Sequence, residues 1–116
     1  MANYRQRIDI IADILEVVSC DAKKTQIMFK ANLSYNALIK YLSEVLKASL
    51  VIYEQDRQCY ILTEKGREFL NAYKVYAETN RYVEERLSFL TRSKQNLDDF
   101  CKYKDKEFPL NKKQLD

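Results

Sequence analysis

Ten positions between Phe69 and Cys101 fall alternately four and three residues apart, and this repeat constrains the chain more than any other feature. One register holds Phe69, Tyr76, Val83, Leu90 and Leu97, all apolar; the other holds Tyr73, Asn80, Leu87, Lys94 and Cys101. A seven-residue spacing keeps one narrow stripe turned toward a partner helix. Nearly five heptads of it predict a coiled-coil seam rather than a helix lying on a globular core. A helix over 64–104 would run ~60 Å at 1.5 Å per residue, more than a small domain can cover. It requires a partner. The single Gly and single Pro of the chain leave such a helix unbroken and argue against a turn-rich β architecture.

The 116 residues leave room for one small domain ahead of this helix. Residues 4–19 read as an amphipathic helix: Ile8, Ile11, Leu15 and Val18 recur at three and four, with Ile14 on the same flank. Asn3 with Gln6 three residues on is a capping-box pattern, and Asp9, Asp13 and Glu16 form an expected solvated face. The loop SCDAKK leads into a short helix at about 23–30, with Ile27 and Met28 turned inward and Phe29 at the edge. Ser34 is placed to cap a third helix over 35–47, whose apolar set is Leu38, Tyr41, Leu42, Val45 and Leu46. Two short helices joined by three or four polar residues, the second amphipathic, have the pattern of a helix-turn-helix.

The next segment sharpens that pattern. LVIYEQ and QCYILT are β-branched and aromatic runs separated by Asp56-Arg57, which predicts a hairpin. A hairpin directly after the second helix of a helix-turn-helix is a wing. Thr63 then caps the long helix, with Glu64 in its first turn facing the positive end of the helix dipole. Gly66 inside that turn is expected where the helix packs closely against the wing. The expected fold class is therefore mainly α: a winged helix-turn-helix with a β-hairpin wing and a long C-terminal coiled-coil helix. The expected division is a winged-helix domain over 1–66, a dimerisation helix over 67–104 and a flexible tail over 105–116.

Charge is distributed unevenly. The net +3 is small, but residues 22–47 carry five Lys (Lys23, Lys24, Lys30, Lys40 and Lys47) against Glu44 alone. Residues 1–21 are net acidic. A positive excess on the helix-turn-helix is the placement a DNA-facing surface needs.

Several function classes fall away. The chain has no His, so Ser-His-Asp and Cys-His constellations are excluded, and one Gly cannot build a phosphate-cradling loop. Asp98-Asp99 and Glu84-Glu85 read as solvated helix faces, so no enzyme is expected. Cys20, Cys59 and Cys101 are far apart without a CxxC spacing, so we expect free thiols, buried or half-buried, and neither metal nor other cofactor. A Cys101 cross-link between subunits is the one rival for these thiols. No apolar run approaches the ~20 residues of a membrane span. MANYRQRIDII has no apolar signal core, so a cytoplasmic protein is expected, without a membrane or small-molecule partner.

KTQIMFKANLSY, followed by YLSEVLKASLVIYEQDRQCYILTEKGREFL, resembles the archaeal winged-helix chromatin proteins first known as the ten-kilodalton proteins of Sulfolobus. The resemblance covers roughly residues 5–75 in wording and the C-terminal half in architecture. It implies a winged helix, a homodimer through a long antiparallel coiled coil, and binding to double-stranded DNA with little sequence preference. This chain is more acidic and its arm longer, which leaves a regulatory role, cellular or viral, open beside an architectural one.

With Leu38, Leu42 and Val45 inward, the third helix shows Tyr35, Asn36, Ile39, Lys40 and Ser43. The N-terminal part of this helix enters the major groove in a helix-turn-helix, which selects Tyr35, Asn36, Lys40 and Ser43 as DNA-binding candidates. Asn36 can bond an adenine edge, while Lys40 and Lys47 neutralise phosphates. Lys23, Lys24, Thr25 and Gln26 open the preceding helix, whose N–H groups suit a phosphate oxygen. Arg57 sits at the expected wing tip, though Glu54 and Asp56 weaken its pull; Arg5 and Arg7 either support the backbone or are solvated. The dimerisation candidates are Tyr73, Tyr76, Asn80, Val83, Leu87, Leu90 and Leu97. Two functional classes remain at this level: a dimeric DNA-binding protein with two separated heads, or an interaction module assembled by the coiled coil whose winged helix binds no DNA.

Overall fold

The computed structural model describes residues 5–103. Its elements, in chain order, are α1 (Arg7–Val18), α2 (Lys24–Lys30), α3 (Tyr35–Lys47), β1 (Val51–Glu54), β2 (Cys59–Leu62) and α4 (Glu64–Phe100). The mainly α winged helix-turn-helix with a long C-terminal helix is the fold observed. By compactness the chain divides between Ala77 and Glu78.

The first three helices meet at a core in which Ile14, Leu15, Val18, Ile27, Leu38, Val45 and Val51 are fully buried. Each such side chain contributes roughly 1.5–3 kcal/mol of apolar burial, so this cluster dominates the stability of the winged domain. The periodicity of α1 accounts for its part. Its start differs from expectation: the Gln6 N–H donates to Asp9 Oδ2 at 2.9 Å, and the chain is helical only from Arg7. Asn3, the expected cap, lies outside the described residues. Asp9 and Asp13 are half-buried and bonded rather than freely solvated, as described below.

A chain with one glycine has to end its helices on other residues. The left-handed positions are taken by Asp21 (φ 53°), Asn32 (φ 55°), Ser49 (φ 62°) and Gln58 (φ 50°). After α2, the Asn32 N–H donates to the Phe29 carbonyl at 3.2 Å and the Leu33 N–H to Met28 at 3.0 Å. After α3, Ser49 donates to Leu46 at 3.1 Å and Leu50 to Val45 at 2.9 Å. Both pairs are Schellman closures, which satisfy carbonyls that the helix end leaves without partners. Between the two helices, Ser34 Oγ accepts the Ala37 N–H at 3.2 Å and caps α3 as expected.

The wing is an antiparallel hairpin in which Val51 faces Leu62 and Glu54 faces Cys59. Its loop is the four residues 55–58, longer than the Asp56-Arg57 pair expected from the sequence. A two-residue hairpin loop wants two positive-φ positions, which Asp-Arg supplies poorly; here Gln58 alone takes one. An isolated bridge fixes the wing to the α1–α2 loop: the Tyr60 N–H donates to Ala22 at 2.7 Å and the Ala22 N–H to Tyr60 at 3.1 Å.

Thr63 and Gly66 join the wing, the end of α3 and the start of α4. Thr63 Oγ1 accepts the Gly66 N–H at 3.0 Å and shares its proton between the Ser49 and Leu50 carbonyls, at 2.7 and 3.0 Å. Lys65 Nζ donates to the Ala48 carbonyl at 2.8 Å, placing a cation at the negative end of α3. A Cβ on Gly66 would overlap the Leu50 carbonyl oxygen and stand 2.5 Å from Leu62 Cδ1. The glycine is there for close approach, as its position suggested.

α4 is a single helix of 37 residues. Leu70 enters the core, and Phe69 and Tyr73 pack against it with their rings stacked, 6.4 Å between centroids. The helix ends at Phe100, short of the expected 104, where the Cys101 and Lys102 N–H groups turn back to Asp98 and Asp99 at 3.0 and 3.2 Å. The expected tail over 105–116 lies outside the described residues. Cys59 is buried, but Cys20 and Cys101 are exposed, contrary to the expectation of buried or half-buried thiols. Cys20 follows the last turn of α1 and Cys101 follows the end of α4, beyond the packed faces of those helices.

Candidate nucleic-acid interface

The N-terminus of α2 carries Lys23, Lys24, Thr25 and Gln26, all exposed. The Lys23 N–H is satisfied by Gln26 Oε1 at 2.8 Å, which orders the first turn. Lys24 Nζ lies 5.7 Å from the centroid of the Tyr35 ring, so the first residues of α2 and α3 meet. This cation–π contact costs the lysine little of its field, because a ring cancels no charge. Along α3, Asn36, Lys40 and Lys47 are exposed and Ser43 is half-buried. Lys40 Nζ rests 5.1 Å from its neighbour's ring, Tyr41.

Two adjoining depressions connect these elements to the wing. One lies between Lys23, Lys24, Thr25 and the wing residues Tyr53, Gln58 and Tyr60; the other runs beside Lys24, Ile39, Ser43, Leu46 and Lys47. They share Lys24 and Tyr60. The Tyr53 and Tyr60 rings face each other across the hairpin, 5.0 Å between centroids. Burial pushes the Tyr60 phenol above its usual range, with Tyr53 adding to the shift. Of the expected contacts, Lys23, Lys24, Thr25, Ser43 and Lys47 line these depressions and Tyr35 meets Lys24, whereas Gln26, Asn36 and Lys40 line neither. Tyr53 and Tyr60 share this surface without having been selected, because aromatic residues at strand spacing read first as core; Ile39, expected on the outer face, shares it too but carries no polar group to select it.

The electrostatics of this surface rest on how the ion pairs are distributed. Arg5 pairs with Asp13 at 2.8 Å, Arg7 with Glu44 at 2.6 Å, and Arg57 with both Asp21 at 3.1 Å and Glu54 at 3.2 Å. Glu44, the one acid within the helix-turn-helix, is therefore paired with an arginine, as are Asp13, Asp21 and Glu54. Among the described residues, Lys23, Lys24, Lys30, Lys40 and Lys47 have no carboxylate partner. The fixed charge left over is positive.

The same pairs engage three arginines. Arg5 also donates to the Ala31 and Asn32 carbonyls at 2.7 and 2.8 Å, closing the end of α2 against α1. Arg7 holds α1 to α3 through Glu44. Arg57 is exposed at the wing tip but paired twice, and the Glu54 hydrogen bond, then nearby negative charge, raises its pKa further. It does not join the lysine surface as a free cation.

Of the dimerisation candidates, Tyr73 is half-buried and its hydroxyl donates to Asp9 within the winged domain. Beyond it, Tyr76, Asn80, Val83, Leu87, Leu90 and Leu97 are exposed. Val83, Leu87, Leu90 and Leu97 each keep between 53% and 66% of their surface in solvent. That is an apolar stripe at heptad spacing that the described residues leave exposed. No helix among the described residues is long and apolar enough to cross a membrane.

The chain is similar in structure to Sso10a-2, a DNA-binding protein from Sulfolobus solfataricus, at a TM-score of 0.61 and 22% identity. The match covers 86% of this chain and all of that one. No curated protein matches. Residues 4–81, the three helices, the wing and the first turns of α4, match the family model of the winged helix-turn-helix. The chain belongs to the winged helix-turn-helix family.

Proposed function

We propose that this chain binds double-stranded DNA as a homodimer, through the first turn of α2 and the outer face of α3. The observation that carries the reading is the set of five lysines without carboxylate partners beside a helix-turn-helix whose acids are neutralised by arginines. Lys23, Lys24, Lys40 and Lys47 meet phosphates; Thr25 and Gln26 add hydrogen bonds to the backbone. Asn36, Tyr35 and Ser43 face base edges, which gives weak to moderate sequence preference. The DNA-binding description of the similar Sulfolobus protein agrees with this reading.

The dimer forms through the exposed stripe of α4, with two separated winged-helix heads and a DNA-facing role, regulatory or architectural, in the cytoplasm or nucleoid. The winged-helix domain over 1–66 is followed by a dimerisation helix from 67 that ends at Phe100 rather than 104. A heptad stripe this exposed is a liability for a monomer. It equally suits an interaction module without DNA binding, and a salt titration separates the two. Binding to a duplex should weaken linearly in log–log form as salt rises, by about 0.9 per phosphate contact. Lys40→Ala should lower affinity for all sequences alike and make the slope shallower by that amount. Unchanged affinity and slope would favour the interaction module.

A further inference from the structure

Ile39 and, two turns on, Leu46 are exposed apolar residues of α3 that the DNA reading leaves unused, although Leu46 was expected on the core face; Ile39 is the nearer to the N-terminal part of the helix that enters the groove. Asn36, Ile39, Lys40, Ser43 and Lys47 recur at three and four, so they form one stripe on the side away from Leu38, Leu42 and Val45. Ile39 keeps 38% of its surface in solvent, flanked by polar or cationic neighbours on that stripe. A β-branched residue there is neither the best helix former nor a solubilising choice. Lys24 and Lys47 stand at the edge of the same depression.

We propose that Ile39 is a specificity-determining residue that reads C5-methyl groups of pyrimidines in the major groove, on thymine or on 5-methylcytosine. This inference rests on the proposed docking of α3 in that groove. The major groove offers one apolar feature at its base edges, the C5-methyl, and an exposed aliphatic side chain is its chemical complement. Asn36 and Ser43, one turn to either side of Ile39, bond neighbouring edges, while Lys40 and Lys47 hold the flanking phosphates. A methyl covered by Ile39 leaves water together with the isoleucine surface, and burying one such group is worth about a three- to fivefold change in affinity. Without a methyl, Ile39 would face the polar edge of the groove and lose that gain.

The test compares alternating poly(dA·dT) with alternating poly(dA·dU), which differ by the methyl alone, in a fluorescence competition assay with the full chain. The natural chain should prefer the thymine polymer about three- to fivefold per methyl covered. Ile39→Ala should bind the two polymers equally, and Ile39→Val should keep most of the preference. A second arm compares a GC-rich duplex with its 5-methylcytosine form; tighter binding there shows that the methyl is read on either base. Preference for thymine without a gain from 5-methylcytosine assigns the readout to thymine alone. Equal binding to all methylated and unmethylated pairs, or a preference that survives Ile39→Ala, overturns the inference while leaving duplex binding intact. No binding to any duplex overturns the function on which it rests. Circular dichroism of each variant confirms that α3 is retained.

Discussion

The Tyr73 hydroxyl donates a 2.6 Å hydrogen bond to Asp9 Oδ1, tying α4 to the first turn of α1. The other oxygen of that carboxylate accepts the Gln6 N–H, so one side chain both caps α1 and anchors α4. Burial, then the bond to Asp9 and its negative charge, pushes the Tyr73 phenol up to about 12. The proton is therefore held more tightly in the folded chain than in the unfolded one, where a phenol titrates near ~10. The stability from this bond is complete below ~10 and is lost as pH rises through the folded value. Tyr73→Phe should cost about 1 kcal/mol at neutral pH, since a partly exposed bond to a charged acceptor is worth somewhat less than a buried one. In denaturant titrations from pH 9 to 12, the natural chain should lose this increment and converge on the variant. A constant difference across that range would contradict the assignment.

Gly66 tests the close approach of α4 to the end of α3. Gly66→Ala gains about 1 kcal/mol of helix propensity but forces a methyl against the Leu50 carbonyl, which Thr63 also holds. Overpacking against backbone costs ~3 kcal/mol, so a net loss of ~2 kcal/mol is expected. Thermal unfolding should show it as a fall of roughly 10 °C. An unchanged melting temperature would mean that α4 slides away from the wing at no cost.

The left-handed helix ends predict the opposite sign. Ser49 holds φ 62° with its N–H on Leu46. Ser49→Gly removes the Cβ clash of that conformation and should raise stability by ~0.5–1 kcal/mol. Chemical denaturation measures it directly, and a destabilised Ser49→Gly would contradict the left-handed geometry.

Much of this architecture was legible because each cue was local. Ser34 stands one residue ahead of an amphipathic run, the apolar pattern of α1 and α3 repeats at three and four, and Gly66 marks a close contact by its rarity. What escaped reading joins residues far apart. Arg5 reaches Ala31 and Asn32, Arg7 reaches Glu44, and Tyr73 reaches Asp9; each looked like a solvated or seam residue in its own segment. The Ala22–Tyr60 bridge and the pairing of Arg57 with Asp21 are of the same kind. The candidate site was legible as far as helix position fixes it. Its electrostatics were not, because which charges cancel depends on partners that only the fold brings together.

That cancellation gives a prediction for Arg57. Paired with Asp21 and Glu54, it should act on DNA by offsetting half of the charge of these two carboxylates rather than by touching a phosphate. Arg57→Ala should weaken duplex binding, and the triple variant Arg57→Ala, Asp21→Asn, Glu54→Gln, whose cluster is one charge more positive than the natural one, should bind at least as tightly as the natural chain. If Arg57 contacted phosphate, the triple variant would stay weak and its salt slope would be shallower by about 0.9. Fluorescence anisotropy over a salt series distinguishes these outcomes.

The last prediction concerns the orientation of the paired α4 helices. A parallel in-register pair would set Lys94 against its own copy in the seam, where no Asp or Glu is present to relieve it. Antiparallel pairing sets one register against the other, so Lys94 meets apolar residues and its ammonium reaches outward along its own stem. Asn80 in the same seam favours one register at some loss of stability. Tyr73 is committed to Asp9, so a spin label belongs further along, at the exposed positions Glu78 and Asp98. Twenty residues of helix span ~30 Å, enough to separate the two arrangements cleanly. Antiparallel helices should give a short distance between Glu78 of one protomer and Asp98 of the other, and a long one between the two Glu78 labels. A parallel pair would reverse this, with short distances between like positions. Leu87→Asp with Leu90→Asp should convert the dimer to a monomer in sedimentation, because two carboxylates at adjacent seam layers lose both apolar burial and pairing. A natural chain that sediments as a monomer at micromolar concentration would remove the dimer from the proposed function and leave the stripe on α4 unexplained.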